Sequence, residues 1–265
     1  MKTFDSPAMP PQDATTVPST ASGRGAGTAP SAIPGQPKAL LALIALGALA
    51  LLGALYAIFV VAPVEKQMGI VQKIFYFHVP CAYAMYIGFV ASAAGSAMYL
   101  AKRQPRWDAL GVAGAEVGCV FFLMVMITGP MWARKAWGVW WTWDPRLTTT
   151  LLGGMILTAY LVLRSMGRVG EVEKRFAAGL SLLGLLNLPV IHYSVERWRG
   201  THPTVITSRG GGLHSDMWPA LIMGLVLFTI VAVLLVWLRA RAERTRQDLE
   251  ALEMAAAERG LLEEV

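Results

Sequence analysis

Five of the nine tryptophans fall within seventeen residues, 132–148. The segment reads Trp132-Ala133-Arg134-Lys135-Ala136, then Trp137-Gly138-Val139-Trp140-Trp141-Thr142-Trp143-Asp144-Pro145-Arg146-Leu147-Thr148. Indole rings gathered this closely make a platform on which a large, flat, apolar ligand can stack. The competing reading is the aromatic belt that tryptophan forms at membrane interfaces. Trp137, Trp140, Trp141 and Asp144 follow the i, i+3, i+4, i+7 spacing that a helix would place on one face. Asp144, directly before Pro145, also carries the signature of a helix N-cap.

The histidines supply the second chemistry. His78 lies in Phe77-His78-Val79-Pro80, at the mouth of the second apolar run, and His202 in Gly200-Thr201-His202-Pro203, in the loop after the fifth. Neutral imidazole is a common axial ligand for haem iron, and two imidazoles from separate loops could grip one iron while indoles cover the porphyrin. The bland alternative is a pair of surface histidines without metal. His192 reads as a packing residue and His214 as a polar loop or cap residue. Haem propionates held near lipid need cationic partners. Arg134, Lys135, Arg146, Arg197 and Arg199 could supply them, or could meet lipid headgroups instead. Glu116 is the one acid well inside an apolar run, where charge is costly; pairing with a neighbouring helix and protonation both answer that cost. Cys81, three residues after His78, reads as core.

These residues must be positioned by helices in lipid. The chain has 265 residues, 55 % hydrophobic and 15 % charged, with a mean hydropathy of +0.50. A soluble domain carries about 25 % charged residues, so a water-facing surface cannot be built from this composition. Six runs nearly free of charge cover 39–61, 74–101, 109–133, 147–163, 176–195 and 217–238. Each approaches the roughly 20 residues that cross a bilayer. The expected fold is all-α, an integral membrane bundle of six transmembrane helices with a Trp-rich segment outside. Six spans put both ends on one side. Segments 102–106, 164–175 and 239–246 hold eleven lysines and arginines, against eight in 66–73, 134–146 and 197–209. That bias places both ends in the cytoplasm and the tryptophans and histidines opposite. Pro80, Pro145 and Pro219 each sit near the outer start of a run, where a missing amide proton is tolerated, and Ser215 or Asp216 could cap the last span.

Residues 1–38 contain seven of the fifteen prolines amid Ser, Thr, Gly and Ala. They read as a disordered tail, followed by a retained first span rather than a cleaved leader. The membrane domain then covers 39–238, and 239–265, without proline, continues as a charged cytoplasmic helix. The net charge is +6, yet the basic residues form short clusters between apolar runs, so the partner they suit is the lipid bilayer and not nucleic acid. Cys81 and Cys119 lie 38 positions apart and form no redox motif. Without a C-x-x-C-H sequence, any haem is held reversibly and the chain is not a c-type cytochrome.

The segment 137–148 resembles the W-G-x-W-W-x-W-D-x-R-L-T signature of the WWD-domain haem-handling proteins, and within them the chain is similar to the CcmC family. Phe77-His78-Val79-Pro80 and His192-Tyr193-Ser194-Val195-Glu196 resemble further blocks of that family, over about 39–238. The resemblance implies haem b as the cofactor and His78 and His202 as its axial ligands. It also implies haem contacts along the signature at Trp137, Gly138, Trp140, Trp141, Trp143, Asp144 and Arg146. The implied activity is delivery of haem, on the periplasmic face of the bacterial inner membrane, to the chaperone CcmE during c-type cytochrome biogenesis. This is haem-lyase-like handling rather than classical turnover. Implied partners are the ABC transporter subunits CcmA and CcmB and the small membrane protein CcmD. Two other functions fit the sequence less well: a haem-exporting permease subunit of an ABC transporter, which needs a polar path between helices, and a complete cytochrome c synthase.

Overall fold

The computed structural model describes residues 37–166, 170–203 and 212–260. The tail expected over 1–38 lies almost wholly outside the described residues, as do Arg168, Arg209 and the last five residues. Among the described residues regular structure is helical, apart from an isolated bridge between Glu65 and Gly69. There are six long helices: α1 Lys38–Tyr56, α2 Phe75–Lys102, α3 Pro105–Trp137, α4 Pro145–Ser165, α5 Glu171–Trp198 and α6 Trp218–Glu258. Each is long and apolar enough to cross a membrane. Leucines such as Leu49 and Leu52 on α1 and Leu186 on α5 stand exposed, which is stable only where lipid replaces water. This is an all-α, multi-pass membrane protein.

The core forms around α2 and α3. Their backbones touch because small residues line the seam: a Cβ on Gly88 would run into the backbone of Gly118, and one on Gly114 into that of Ser92. The Ser92 hydroxyl in turn hydrogen bonds that of Ser181 on α5 at 2.7 Å. α4 and α5 pair through Asn187, whose amide donates to the Thr149 carbonyl at 2.9 Å. These polar groups inside the spans thus join one helix to another.

Two ion pairs add to this. Asp108 on α3 and Arg164 on α4 meet at 2.7 Å, each about 5 % exposed. Glu116 pairs with Arg239 on α6, so the acid inside the third span is answered by a neighbouring helix. α6 runs unbroken for 41 residues, about 60 Å, and its Glu243 is buried against the bundle.

Proline and capping differ from expectation at two places. Pro145 and Pro219 occupy the first turns of α4 and α6, but Pro80 lies inside α2. A 3-10 turn, Ile70–Ile74, precedes α2 and carries the helix back past that proline. Proline cannot donate to the Tyr76 carbonyl, and α6 approaches there at Gly224, where a Cβ would meet that same oxygen at 2.8 Å. Neither Ser215 nor Asp216 caps α6; the His214 imidazole instead accepts from the Asp216 amide on the 3-10 turn Ser215–Met217.

The first span ends in a π turn, Ala57–Val61. The buried Lys73 ammonium donates to the Ile58 carbonyl at 2.5 Å and the Ala62 carbonyl at 3.2 Å. A cation at a helix C-terminus satisfies carbonyls that have no amide partner and complements the helix dipole. Lys73 thereby ties the 3-10 turn leading into α2 to the end of α1.

Candidate functional site

α3 ends at Trp137 because Gly138 takes a left-handed conformation, φ 77°, that glycine adopts without penalty. Residues 138–144 are therefore an irregular loop and not the helical turn that the spacing of Trp137, Trp140, Trp141 and Asp144 suggests. The loop sends its indoles in different directions. Trp140 is 59 % and Trp143 76 % exposed, while Trp137 and Trp141 line a cavity of about 470 Å³. Trp137 stands edge-on to Trp132, with centroids 5.7 Å apart, and Trp132 is fixed by a hydrogen bond to Gln72 at 3.3 Å.

Asp144 lies beneath this loop, only 5 % exposed. Its Oδ1 accepts the Arg146 amide at 2.9 Å and so caps α4. Its Oδ2 accepts the Thr201 amide at 2.5 Å, the Thr201 hydroxyl at 3.1 Å and the His202 amide at 3.2 Å. Burial works to raise the pKa of this carboxyl, but the hydrogen bonds from Arg146, His202 and Thr201 outweigh it and hold the group below the usual carboxylate range. Gly200 makes the approach possible, since a Cβ there would meet Oδ2 at 2.6 Å. Asp144 thus does not line the cavity; it holds the loop that carries His202.

His202 and His78 both line the cavity. The His202 ring stands edge-on to Trp137 with centroids 6.2 Å apart. Its Nδ1 is 3.0 Å from the Pro203 carbonyl and 3.3 Å from Arg146 Nη1. Burial, then the Arg146 charge, pushes its pKa down to about 4, so the ring is neutral at neutral pH and keeps a lone pair for a metal. His78 projects from the second turn of α2 toward α3, with Nδ1 2.9 Å from the Thr128 hydroxyl. Its ring lies over Gly129, where a Cβ would come within 3.1 Å of Cε1.

Among the described residues Arg146 is the cation of the cavity wall, and its Nη2 donates to the His192 carbonyl at 3.0 Å. None of Arg134, Lys135, Arg197 and Arg199 joins it there; Arg134 instead donates to the Gly138 carbonyl. His192 is exposed at the cavity, its ring edge-on to Tyr193 at 4.9 Å, rather than packed in the core. His214 caps the turn before α6, and Cys81 is fully buried beside the Met124 sulfur.

The structure also brings in wall residues that the motifs do not mark. Met85 and Tyr86 line the cavity from α2 and Met126 and Gly129 from α3. Met85 and Tyr86 stand seven and eight positions after His78, so the helical period counted from that histidine would have found them. Apolar walls, edge-on indoles, Arg146 and the imidazoles of His78, His192 and His202, with the Glu196 carboxylate also on the wall, form a donor set that fits a flat metal macrocycle whose carboxylates lie toward Arg146. The volume lies within the range of small-molecule pockets, about 300–1,000 Å³.

Known proteins resemble this chain in sequence. The pattern of the family described as "Heme exporter protein C", CcmC, matches residues 29–255. Heme exporter protein C of Bradyrhizobium diazoefficiens is 35 % identical over 206 residues, covering 75 % of this chain and 76 % of that one. Heme exporter protein C of Escherichia coli K12 is 37 % identical over 145 residues, 54 % of this chain and 59 % of its own. A ccmC-like mitochondrial protein of cytochrome c biosynthesis from Marchantia polymorpha is 32 % identical over 158 residues, 59 % and 67 % of the two chains. A match that begins before α1, takes in the tryptophan loop and reaches the last turn of α6 makes this chain a member of the CcmC family.

Proposed function

We propose that this protein handles haem in c-type cytochrome biogenesis, holding haem b as cargo with His78 and His202 as its axial ligands. The observation that carries the reading is the pair of imidazoles, from α2 and from the α5–α6 loop, on one indole-walled cavity. Each has its Nδ1 beside a hydrogen-bonding partner, which leaves Nε2 for iron. Trp137 and Trp141 cover the macrocycle, Arg146 meets a propionate, and Asp144 holds the His202 loop in register.

The excess of Lys and Arg on one side supports a topology with both ends in the cytoplasm and the cavity on the periplasmic face of the inner membrane. The recipient of the haem is the chaperone CcmE, with CcmA, CcmB and CcmD as membrane partners, an assignment that rests on the family. Exposed Trp140 and Trp143 beside the cavity suit that recipient's docking, because indoles are enriched in transient interfaces.

Purified protein loaded with haemin tests the ligand pair. The wild type gives a low-spin, six-coordinate spectrum, and His78→Ala and His202→Ala each lose it. Unchanged haem content and spectrum in both variants would end the assignment. Covalent attachment of haem to an apocytochrome by this chain alone would favour the synthase function, and haem accumulation across reconstituted vesicles the permease.

A further inference from the structure

The Thr128 hydroxyl makes two contacts, to the Met124 carbonyl at 2.7 Å and to His78 Nδ1 at 2.9 Å. A hydroxyl has one proton to give. Were that proton directed at Nδ1, the hydroxyl oxygen and the Met124 carbonyl would face each other at 2.7 Å with no hydrogen between them, which is repulsive. Both contacts are hydrogen bonds only if Thr128 donates to Met124 and accepts from Nδ1–H. The proton of the neutral His78 ring then sits on Nδ1, and the lone pair on Nε2.

We infer that Thr128 is a positioning residue that locks His78 in the tautomer able to ligate iron. The neighbouring Gly129 leaves room for the ring to lie against α3, so the sequence Thr128-Gly129 provides both a bond and a seat. The two imidazoles are consequently unequal. His78 has an acceptor with no second option, whereas His202 Nδ1 stands between the Pro203 carbonyl, which accepts, and Arg146, which can only donate. His78 is the firm ligand of the pair. A ligand whose far nitrogen donates a hydrogen bond is also a stronger donor to metal, and stabilises the ferric state.

This inference rests on the haem-holding function, and the experiment separates the two. Full-length wild type, His78→Ala, Thr128→Val and Thr128→Ser are titrated with haemin, and the midpoint potential of each loaded protein is measured. Thr128→Val, which keeps shape and removes the acceptor, weakens haemin binding about 10-fold or more. It also raises the midpoint potential and shifts the ferric spectrum toward high spin. Thr128→Ser restores all three. Should Thr128→Val fail to accumulate, Thr128→Ala is read by the same measurements. Wild-type binding and potential in the variant that lacks the hydroxyl, with His78→Ala still defective, overturn the role of Thr128 and leave the haem-holding function standing. So does a serine variant as impaired as valine. Haemin binding indifferent to His78→Ala overturns both.

Discussion

The Asp144 carboxylate accepts both the amide and the hydroxyl of Thr201, 57 residues further along the chain. One side chain therefore caps α4 and ties down the loop of a candidate iron ligand. Replacing it with alanine removes the cap and leaves part-buried donors without their acceptor. Asp144→Ala is expected to destabilise the protein by about 2 kcal/mol or more and to weaken haemin binding, with Asp144→Asn intermediate because it keeps one acceptor oxygen. Thermal unfolding in detergent and a haemin titration check this; wild-type haem affinity in the alanine variant would detach Asp144 from the site.

Gly129 separates site from scaffold in the opposite way. Alanine in a helix interior is favoured over glycine by about 1 kcal/mol, yet its methyl would press on His78 Cε1. Gly129→Ala should leave the unfolding temperature unchanged or higher while haemin binding falls and the low-spin bands fade. Parallel loss of stability and binding would mean that the helix, and not the ring, has been disturbed.

The indoles divide into two groups that a transfer assay can tell apart. Trp137→Ala, which opens the cavity wall, lowers haemin affinity. Trp140→Ala and Trp143→Ala change exposed residues, so haemin affinity stays near wild type and stability within about 0.5 kcal/mol, while transfer to purified CcmE slows. Equal effects of all three on haemin affinity would place Trp140 and Trp143 against the macrocycle instead.

Asp108 and Arg164 form a buried pair far from the cavity in sequence and function. Removing one partner strands a charge in an apolar setting, so Arg164→Met alone should cost about 3–5 kcal/mol. Combining it with Asp108→Leu should cost much less than the sum of the two single changes. Additive losses in denaturation measurements would show that the pair is not coupled.

Much of this arrangement was legible in the sequence because lipid imposes it. Each of the six apolar runs falls on one of the six long helices together with the π or 3-10 turn that adjoins it, since a backbone in hydrocarbon has few other ways to satisfy its amides. His78, His202 and the tryptophans share one end of the bundle because helices that alternate in direction bring every second loop together. What periodicity missed was tertiary. The spacing from Trp137 to Asp144 imitates a helix, but Gly138 stops α3 one residue after Trp137. Pro80 suits a first turn, but the preceding 3-10 segment moves it inward. The partner of Glu116 lies 123 residues away, and the bond between His78 and Thr128 spans 50; no local pattern encodes either.

The Lys73 ammonium, buried against carbonyls of the first span, gives that span a duty other than anchorage. A chain beginning at residue 63 would leave that ammonium with neither of its carbonyl acceptors. The turn leading into the histidine helix would come loose with it. Shortened forms that omit the opening helix should thus lose cargo before they lose their place in the bilayer.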